Sequence, residues 1–180
     1  MRVAIYGGSF NPPHVGHAMV AAWLGWTSRV DRVWLVPTGS HAFGKRLLPF
    51  GLRVEMCEVL ARCAGSHVDV CTIEAELPVP SYTIDTLRAL AVRHPEHTFQ
   101  LVVGADILPE TPRWKAWDAI AREFEPIVVG RGGHGDVEGM PTFPEVSSTV
   151  IRARHDAGQD VSALVPSGVL ALLEGQSFTA

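Results

Sequence analysis

Residues 3–26 read VAIYGGSFNPPHVGHAMVAAWLGW. The apolar run 3–6 is typical of a buried strand, and the segment 14–26 has the Ala, Val, Leu and Trp content of a helix. Between them, the adjacent glycines Gly7 and Gly8 let the backbone turn tightly and approach a ligand with no Cβ in the way. The stretch therefore predicts a strand, a ligand-contacting loop and a helix, in that order.

The same alternation continues along the chain. Short runs rich in Val and Ile predict further buried strands, and segments of helical period predict helices between them, the third of which begins at Ser81 as N-cap and ends before Pro95. The strands are predicted at 3–6, 33–36, 68–71, 101–103 and 127–129, and the first two helices at 14–26 and 52–64. This pattern predicts an α/β fold: a single-domain, Rossmann-like, doubly wound parallel sheet over residues 1–180.

Ligands of such sheets bind at the carboxyl ends of the strands. Two segments that follow strands, 38–48 and 130–144, are rich in Gly, Pro and His and are predicted to form the rim of a site.

Composition excludes several classes of protein. The net charge of −4 argues against a nucleic-acid partner, because such proteins usually carry a basic excess. The sequence shows neither a signal-peptide pattern nor a run of about 18 apolar residues, so we expect a cytoplasmic protein with no membrane partner. The three cysteines, Cys57, Cys63 and Cys71, form no C-x-x-C pair, and we expect them to be buried, inert thiols.

His14 and His17 stand one helical turn apart at the start of the first helix. Both imidazoles can face one anion there, because free N–H groups and the helix dipole already favour negative charge. Pro12 and Pro13 stiffen the loop that leads to them. An isolated pair at this spacing could also be a capping accident or a metal pair, although the first turn supplies no third protein ligand.

A second group of polar residues lies near the other end of the chain. Ser147, Ser148 and Thr149 precede Ile151 and Arg152, which predicts a short helix with a hydroxyl N-cap that ends near Gly158. The Arg152 guanidinium can reach back to a phosphate bound at that helix start. A surface helix with an ordinary cap is the alternative interpretation.

Both groups resemble known motifs. Residues 7–17 match the G-G-x-F-x-P-x-H-x-G-H signature of the HxGH nucleotidyltransferase superfamily, and residues 147–152 resemble its S-S-T-x-I-R motif. Within the superfamily the chain resembles the bacterial nicotinate-nucleotide adenylyltransferases from residue 2 to about 173. The supporting segments are VWLVP at 33–37, SYTIDTL at 81–87, GAD at 104–106 and PRW at 112–114.

The resemblance implies transfer of AMP from ATP to nicotinate mononucleotide, giving deamido-NAD and pyrophosphate in NAD biosynthesis. The catalytic residues it implies are His14, His17, Lys45 and Arg152. The ATP-binding residues it implies are Gly8, Ser9, Phe10, His14, His17, Gly104, Asp106, Ser147, Ser148, Thr149 and Arg152. The mononucleotide-binding residues it implies are Asn11, Lys45, Tyr82, Thr83 and Trp114. Mg²⁺ is expected to be coordinated by the ATP phosphates, with no metal site formed by the protein.

Each internal segment also has a structural interpretation. Trp114 and Trp117 could form one core face, and we expect Trp114 to stack on the pyridine ring while Trp117 packs. Asp106 could be a helix N-cap instead of a ribose contact, and Lys45 could be a solvated loop charge. The loop at 40–45 reads SHAFGK where the family usually has Pro-Pro-His-Lys, so the resemblance implies the role of Lys45 by its position alone.

Three other functions have less support from the sequence. Residues 130–135, GRGGHG, fit G-x-G-x-x-G, yet Gly139, Pro141 and Pro144 forbid the helix that a dinucleotide-binding fingerprint needs. Another HxGH adenylyl- or cytidylyltransferase, with nicotinamide mononucleotide or phosphopantetheine as acceptor, remains an alternative. A non-catalytic nucleotide-binding domain would be expected to lose its phosphate-contacting residues, which this chain has. The sequence is compatible with a homo-oligomer as well as with a monomer.

Overall fold

The computed structural model describes residues 1–27, 29–39, 47–134 and 137–178. It is an α/β structure in which strands and helices alternate from the first residues onward. The strands are β1 (Arg2–Gly8), β2 (Arg32–Pro37), β3 (Val68–Val70), β4 (Thr98–Gly104), β5 (Ile127–Arg131) and β6 (Thr142–Phe143). The helices are α1 (Val15–Trp26), α2 (Phe50–Ala64), α3 (Thr83–Arg93), α4 (Trp117–Phe124), α5 (Ser148–Asp156) and α6 (Ser167–Leu173).

The strands form one six-stranded sheet in the order β3-β2-β1-β4-β5-β6, and every pair is parallel. After β3 the chain crosses back over the sheet to place β4 on the other side of β1. Strand order therefore reverses between β1 and β4, and the carboxyl ends of these two strands flank the crevice where sheets of this kind bind ligands.

Side chains of each central strand alternate between two buried layers. In β1, Val3 and Ile5 pack under α3 and α4, whereas Ala4 faces α1 and α2. Both faces are covered, so the strands consist of near-continuous apolar runs, as a doubly wound sheet requires. The predicted fold class is confirmed.

A third apolar cluster attaches the C-terminal helices to the rest of the molecule. Ile151 of α5 and Val169 of α6 pack with Met56 of α2, and all three side chains are fully buried. This cluster sets the position of α5 relative to the sheet. None of the helices in the described part of the chain has the length and hydropathy needed to span a bilayer.

Several local predictions need correction or addition. Tyr82, not Ser81, is the N-cap of α3, because the Ser81 hydroxyl donates to the Glu74 carboxylate instead. Cys57 is buried, but Cys63 is exposed and Cys71 is half-buried, so the prediction of three buried thiols was wrong. The elements without a prediction include β6, α6 and the two 3₁₀ helices Ile73–Ala75 and Ala105–Arg113.

Candidate active site

A cavity of about 770 Å³ lies at the carboxyl ends of β1, β4 and β5. Gly7 and Gly8 of β1, Gly104 of β4 and Gly130 of β5 all contribute to its wall. At Gly104 the missing side chain matters, because a Cβ there would lie 2.3 Å from the Asp106 carboxylate. The cavity thus occupies the position where the strand order predicts a ligand.

Buried hydrogen bonds from α2 and the residues before it hold the loop between β1 and α1. The Arg53 side chain of α2, which is 1% exposed, donates to the carbonyl oxygens of Ser9 at 2.9 Å and Leu48 at 3.0 Å. The side-chain oxygen of Asn11 accepts from the Leu48 N–H at 3.0 Å. These contacts hold the loop in one conformation beneath the cavity.

Helix α5 also donates hydrogen bonds to this loop. Ser148 Oγ donates to the carbonyl of Pro12 at 3.0 Å, and Arg152 Nη1 donates to the carbonyl of Asn11 at 2.9 Å. The helix begins at Ser148 because the Ser147 hydroxyl accepts from the Thr149 N–H, as its hydroxyl-rich sequence predicts. The two motifs at opposite ends of the sequence are therefore in direct contact.

The two histidines of the first motif form a stacked pair. Their ring centroids are 3.7 Å apart, and both residues line the cavity. The backbone N–H of His14 donates to Nδ1 of His17 at 3.1 Å, which leaves Nε2 of a neutral His17 ring to carry the proton. Gly16 provides the space for this arrangement, because a Cβ there would lie 3.1 Å from the His14 ring.

Both imidazoles are neutral in the protein. Burial, followed by the charge of Arg131, lowers the pKa of His14 from 6.5 to about 4. Burial lowers the pKa of His17 as well, and the neighbouring His14 and Arg131 lower it further. The pair therefore contributes N–H donors to the cavity at neutral pH and not positive charges.

This low pKa predicts a loss of stability in acid. Between about pH 6.5 and pH 4 the unfolded chain binds a proton at His14 that the folded chain excludes, so stability rises with pH across this window. Going from pH 7.5 to pH 5.0 should cost about 2 kcal/mol through this residue alone. We expect His14→Asn to lose about 2 kcal/mol less than the wild type when urea unfolding is compared at the two pH values. Equal losses would contradict the assignment.

Arg131 is a site residue that sequence reasoning missed. It stands at the end of β5, donates to the Asp106 carboxylate, and also donates to the carbonyl of Val146 at 2.9 Å. Asp106 lies in the first turn of a helix whose N-cap is Gly104, so the N-cap interpretation of Asp106 was wrong. The ribose contact stays a prediction. An arginine at the end of a buried strand was the available signal, but it lies within the G-x-G-x-x-G pattern, which drew a different interpretation.

Aromatic and polar groups line the end of the cavity near α3. Trp114 is half-buried and contributes to the wall, whereas its neighbour Trp117, at 5.7 Å between ring centroids, does not. Tyr82 and Thr83 also line the cavity, at the start of α3, where N–H groups of the first helical turn lack helical acceptors. Lys115, a second residue missed from the sequence, places its ammonium 4.7 Å from the centre of the Tyr82 ring.

The predicted site residues divide into groups. His14, His17, Gly8, Ser9, Gly104, Asp106, Tyr82, Thr83 and Trp114 line the cavity. Ser147, Ser148, Thr149 and Arg152 form the adjoining start of α5. The side chains of Phe10 and Asn11 are each 1% exposed, and Asn11 Oδ1 accepts from the Leu48 N–H, so the ligand contacts of these two residues stay predictions. Lys45 lies outside the described residues.

Three side chains of metal-binding type cluster elsewhere. The ligand atoms of His94, Glu96 and His97 lie within 4.8 Å of one another, just before β4. This is the amino end of the strand, opposite the cavity. The cluster is therefore separate from the candidate active site.

Comparisons with known proteins agree with this geometry. A family model described as cytidylyltransferase-like matches residues 5–154. A probable nicotinate-nucleotide adenylyltransferase of Anaeromyxobacter sp. (strain K) is 52% identical over 176 residues, which is 96% of this chain and 94% of that protein. The chain belongs to the nicotinate-nucleotide adenylyltransferases of the cytidylyltransferase-like family. A Myxococcus xanthus member is 40% identical over 95% of this chain and 90% of its own length.

Solved structures support the fold of this family. The Plasmodium falciparum nicotinic acid mononucleotide adenylyltransferase, determined in complex with NaAD, superposes with a TM-score of 0.80 at 20% identity. The match covers 96% of this chain and 94% of that one. Between Arg131 and β6 the described residues form turns and no helix, so the G-x-G-x-x-G pattern is not a dinucleotide-binding fingerprint.

Proposed function

We propose that this enzyme transfers AMP from ATP to nicotinate mononucleotide, giving deamido-NAD and pyrophosphate. The observation that carries the proposal is that one cavity joins the stacked His14–His17 pair to Trp114 and the start of α3. One part offers neutral donors for phosphate, and the other offers an aromatic face and N–H groups for a pyridine ring with a carboxylate. The proposal includes a single catalytic domain that acts in the cytoplasm.

The reaction needs positioning more than an activated side chain. A phosphate oxygen of the mononucleotide attacks the α-phosphorus of ATP and forms the new P–O bond. The bond from the α-phosphorus to the bridging oxygen breaks, and pyrophosphate leaves with its electron pair. We assign His17 Nε2–H and His14 to the phosphates at the reacting end, where donors stabilise the charge that develops in the transition state.

ATP is proposed to enter as its Mg²⁺ complex. The carboxylates of Glu74, Asp106 and Glu110 line the cavity, but Asp106 is paired with Arg131 and Glu74 is bonded to hydroxyls. The donor set around the histidines consists of imidazoles and backbone groups, which are poor ligands for Mg²⁺. The triphosphate and water would supply the ligands of the ion.

The assignment is tested by product analysis. Purified protein with MgATP and nicotinate mononucleotide should form deamido-NAD and pyrophosphate in equal amounts. Replacing ATP by CTP, or the mononucleotide by phosphopantetheine, should abolish turnover. Nucleotide binding without pyrophosphate release would instead indicate a non-catalytic domain, and turnover of phosphopantetheine would indicate a different transferase.

Arg152 should act mainly on ATP. Its guanidinium donates to the Asn11 carbonyl and to Thr149 Oγ1 at 3.1 Å, which a lysine ammonium cannot reproduce in the same planar geometry. We expect Arg152→Ala to raise the KM for ATP about tenfold or more, and Arg152→Lys to restore it only in part. Arg154, exposed on the same helix, is the matched control. Full activity of the lysine variant in steady-state kinetics would contradict this role.

A further inference from the structure

Glu74 is a charged residue of the cavity wall to which the reaction assigns no task. It lies in the 3₁₀ helix Ile73–Ala75, after β3. One carboxylate oxygen accepts a hydrogen bond from Ser81 Oγ, and the other accepts one from Thr86 Oγ1. An acid in a cavity that takes an anionic mononucleotide would repel this substrate unless its charge is engaged elsewhere.

The two hydroxyl donors stand on either side of the start of α3. Ser81 precedes the N-cap Tyr82, and Thr86, which is 3% exposed, follows it within the first turn of the helix. The Glu74 carboxylate therefore bridges two side chains, one before and one after the first residue of α3. This contact fixes the direction in which the first N–H groups of α3 face the cavity, because hydrogen bonds to a charged acceptor are the stronger kind.

The loop after β2 is held against the same residue. The Gly39 N–H donates to Glu74 Oε2 at 3.4 Å, and a Cβ at Gly39 would lie 2.6 Å from the Glu74 carbonyl oxygen. Only glycine permits this approach of the two backbones. Glu74 thus joins two segments on the α3 side of the cavity, and its charge is shared among two hydroxyls and one backbone N–H.

We propose that Glu74 is a positioning residue for the acceptor substrate. By holding Ser81 and Thr86, it orients the N–H groups at Tyr82 and Thr83 that bind the pyridine carboxylate. Its three donors offset its own negative charge. The inference deepens the proposed function and rests on it, since the carboxylate in question is that of nicotinate mononucleotide.

The test compares the KM values of the two substrates in three variants. Glu74→Ala should raise the KM for nicotinate mononucleotide about tenfold, and Glu74→Gln should raise it less, because an amide keeps one acceptor. The KM for ATP should stay within about twofold in both. Glu76→Gln is the matched control: Glu76 is near in sequence but pairs with Arg93 at the surface, and both KM values should be unchanged.

A double-mutant cycle with Thr86→Val tests whether Glu74 acts through the hydroxyls. Thr86→Val should raise the KM for the mononucleotide in the wild type, by a smaller factor in the Glu74→Gln background, which keeps one acceptor, and hardly at all in the Glu74→Ala background. This cycle also serves if Glu74→Ala fails to fold. Unchanged KM values, additive effects, or an equal rise in the KM for ATP would overturn the inference. Failure of the proposed function differs, because the wild type itself would then form no deamido-NAD.

Discussion

His17→Ala is expected to lower kcat by at least about a hundredfold while the fold is retained. The loss of one preorganised donor to transition-state charge typically has this size, about 2.7 kcal/mol. In this protein the His14 N–H holds Nδ1 of His17, so the tautomer that presents Nε2–H is set before substrate arrives. No reorganisation is then needed during the reaction.

The measurement is kcat at saturating concentrations of both substrates, with circular dichroism and thermal unfolding as checks of folding. His94→Ala is a suitable control, because His94 lies before the amino end of β4, opposite the cavity. Its kcat should equal that of the wild type. A change of less than about fivefold in the folded His17 variant would remove His17 from the catalytic group.

Trp114→Ala should raise the KM for the mononucleotide by about tenfold to a hundredfold and leave the KM for ATP nearly unchanged. Stacking of a flat heteroaromatic ring on an aromatic side chain contributes about 1–3 kcal/mol by alanine substitution. Trp114 packs against the apolar cluster that contains Ile84 and Leu87 of α3, whereas the stacked histidines belong to the start of α1. The loss should therefore fall on one substrate.

Trp117→Ala provides the comparison. Both indoles pack against the same apolar cluster, but Trp117 does not line the cavity. We expect Trp117→Ala to lower the midpoint of thermal unfolding without changing either KM. If Trp114→Ala raises both KM values equally, or resembles Trp117→Ala in all respects, the indole at position 114 is a core residue only.

The local sequence was sufficient to predict the fold class and the two motifs at 7–17 and 147–152. The apolar runs around β1, β2 and β4 have strand length and are separated by helical periods, which leaves few topologies. The loop with His14 and His17 was predictable because its glycines, prolines and histidines act within a few residues of one another. The contact between this loop and α5 followed only from the resemblance, since it joins residues 136 and 141 positions apart.

Tertiary pairings account for what the sequence did not predict. The pairing of Arg131 with Asp106 depends on β4 and β5 being neighbours, which no local pattern reports. The sequence around Ser81 is typical of an N-cap, but the Ser81 hydroxyl donates instead to the carboxylate of Glu74, which lies in another element. Cys63 lies in a helix whose buried face is set by Met56, Cys57 and Leu60, and falls on its solvent side.

Parallel measurement of kcat/KM for nicotinate and nicotinamide mononucleotides tests most directly whether the cavity selects a pyridine mononucleotide that bears a carboxylate. Backbone donors at the start of α3 suit a carboxylate, whereas the amide N–H groups would face them unpaired, at a cost of about 1–3 kcal/mol. We expect nicotinate mononucleotide to be preferred by about tenfold to a hundredfold, with deamido-NAD as product. Equal use of the two substrates, or preference for the amide, would contradict the account.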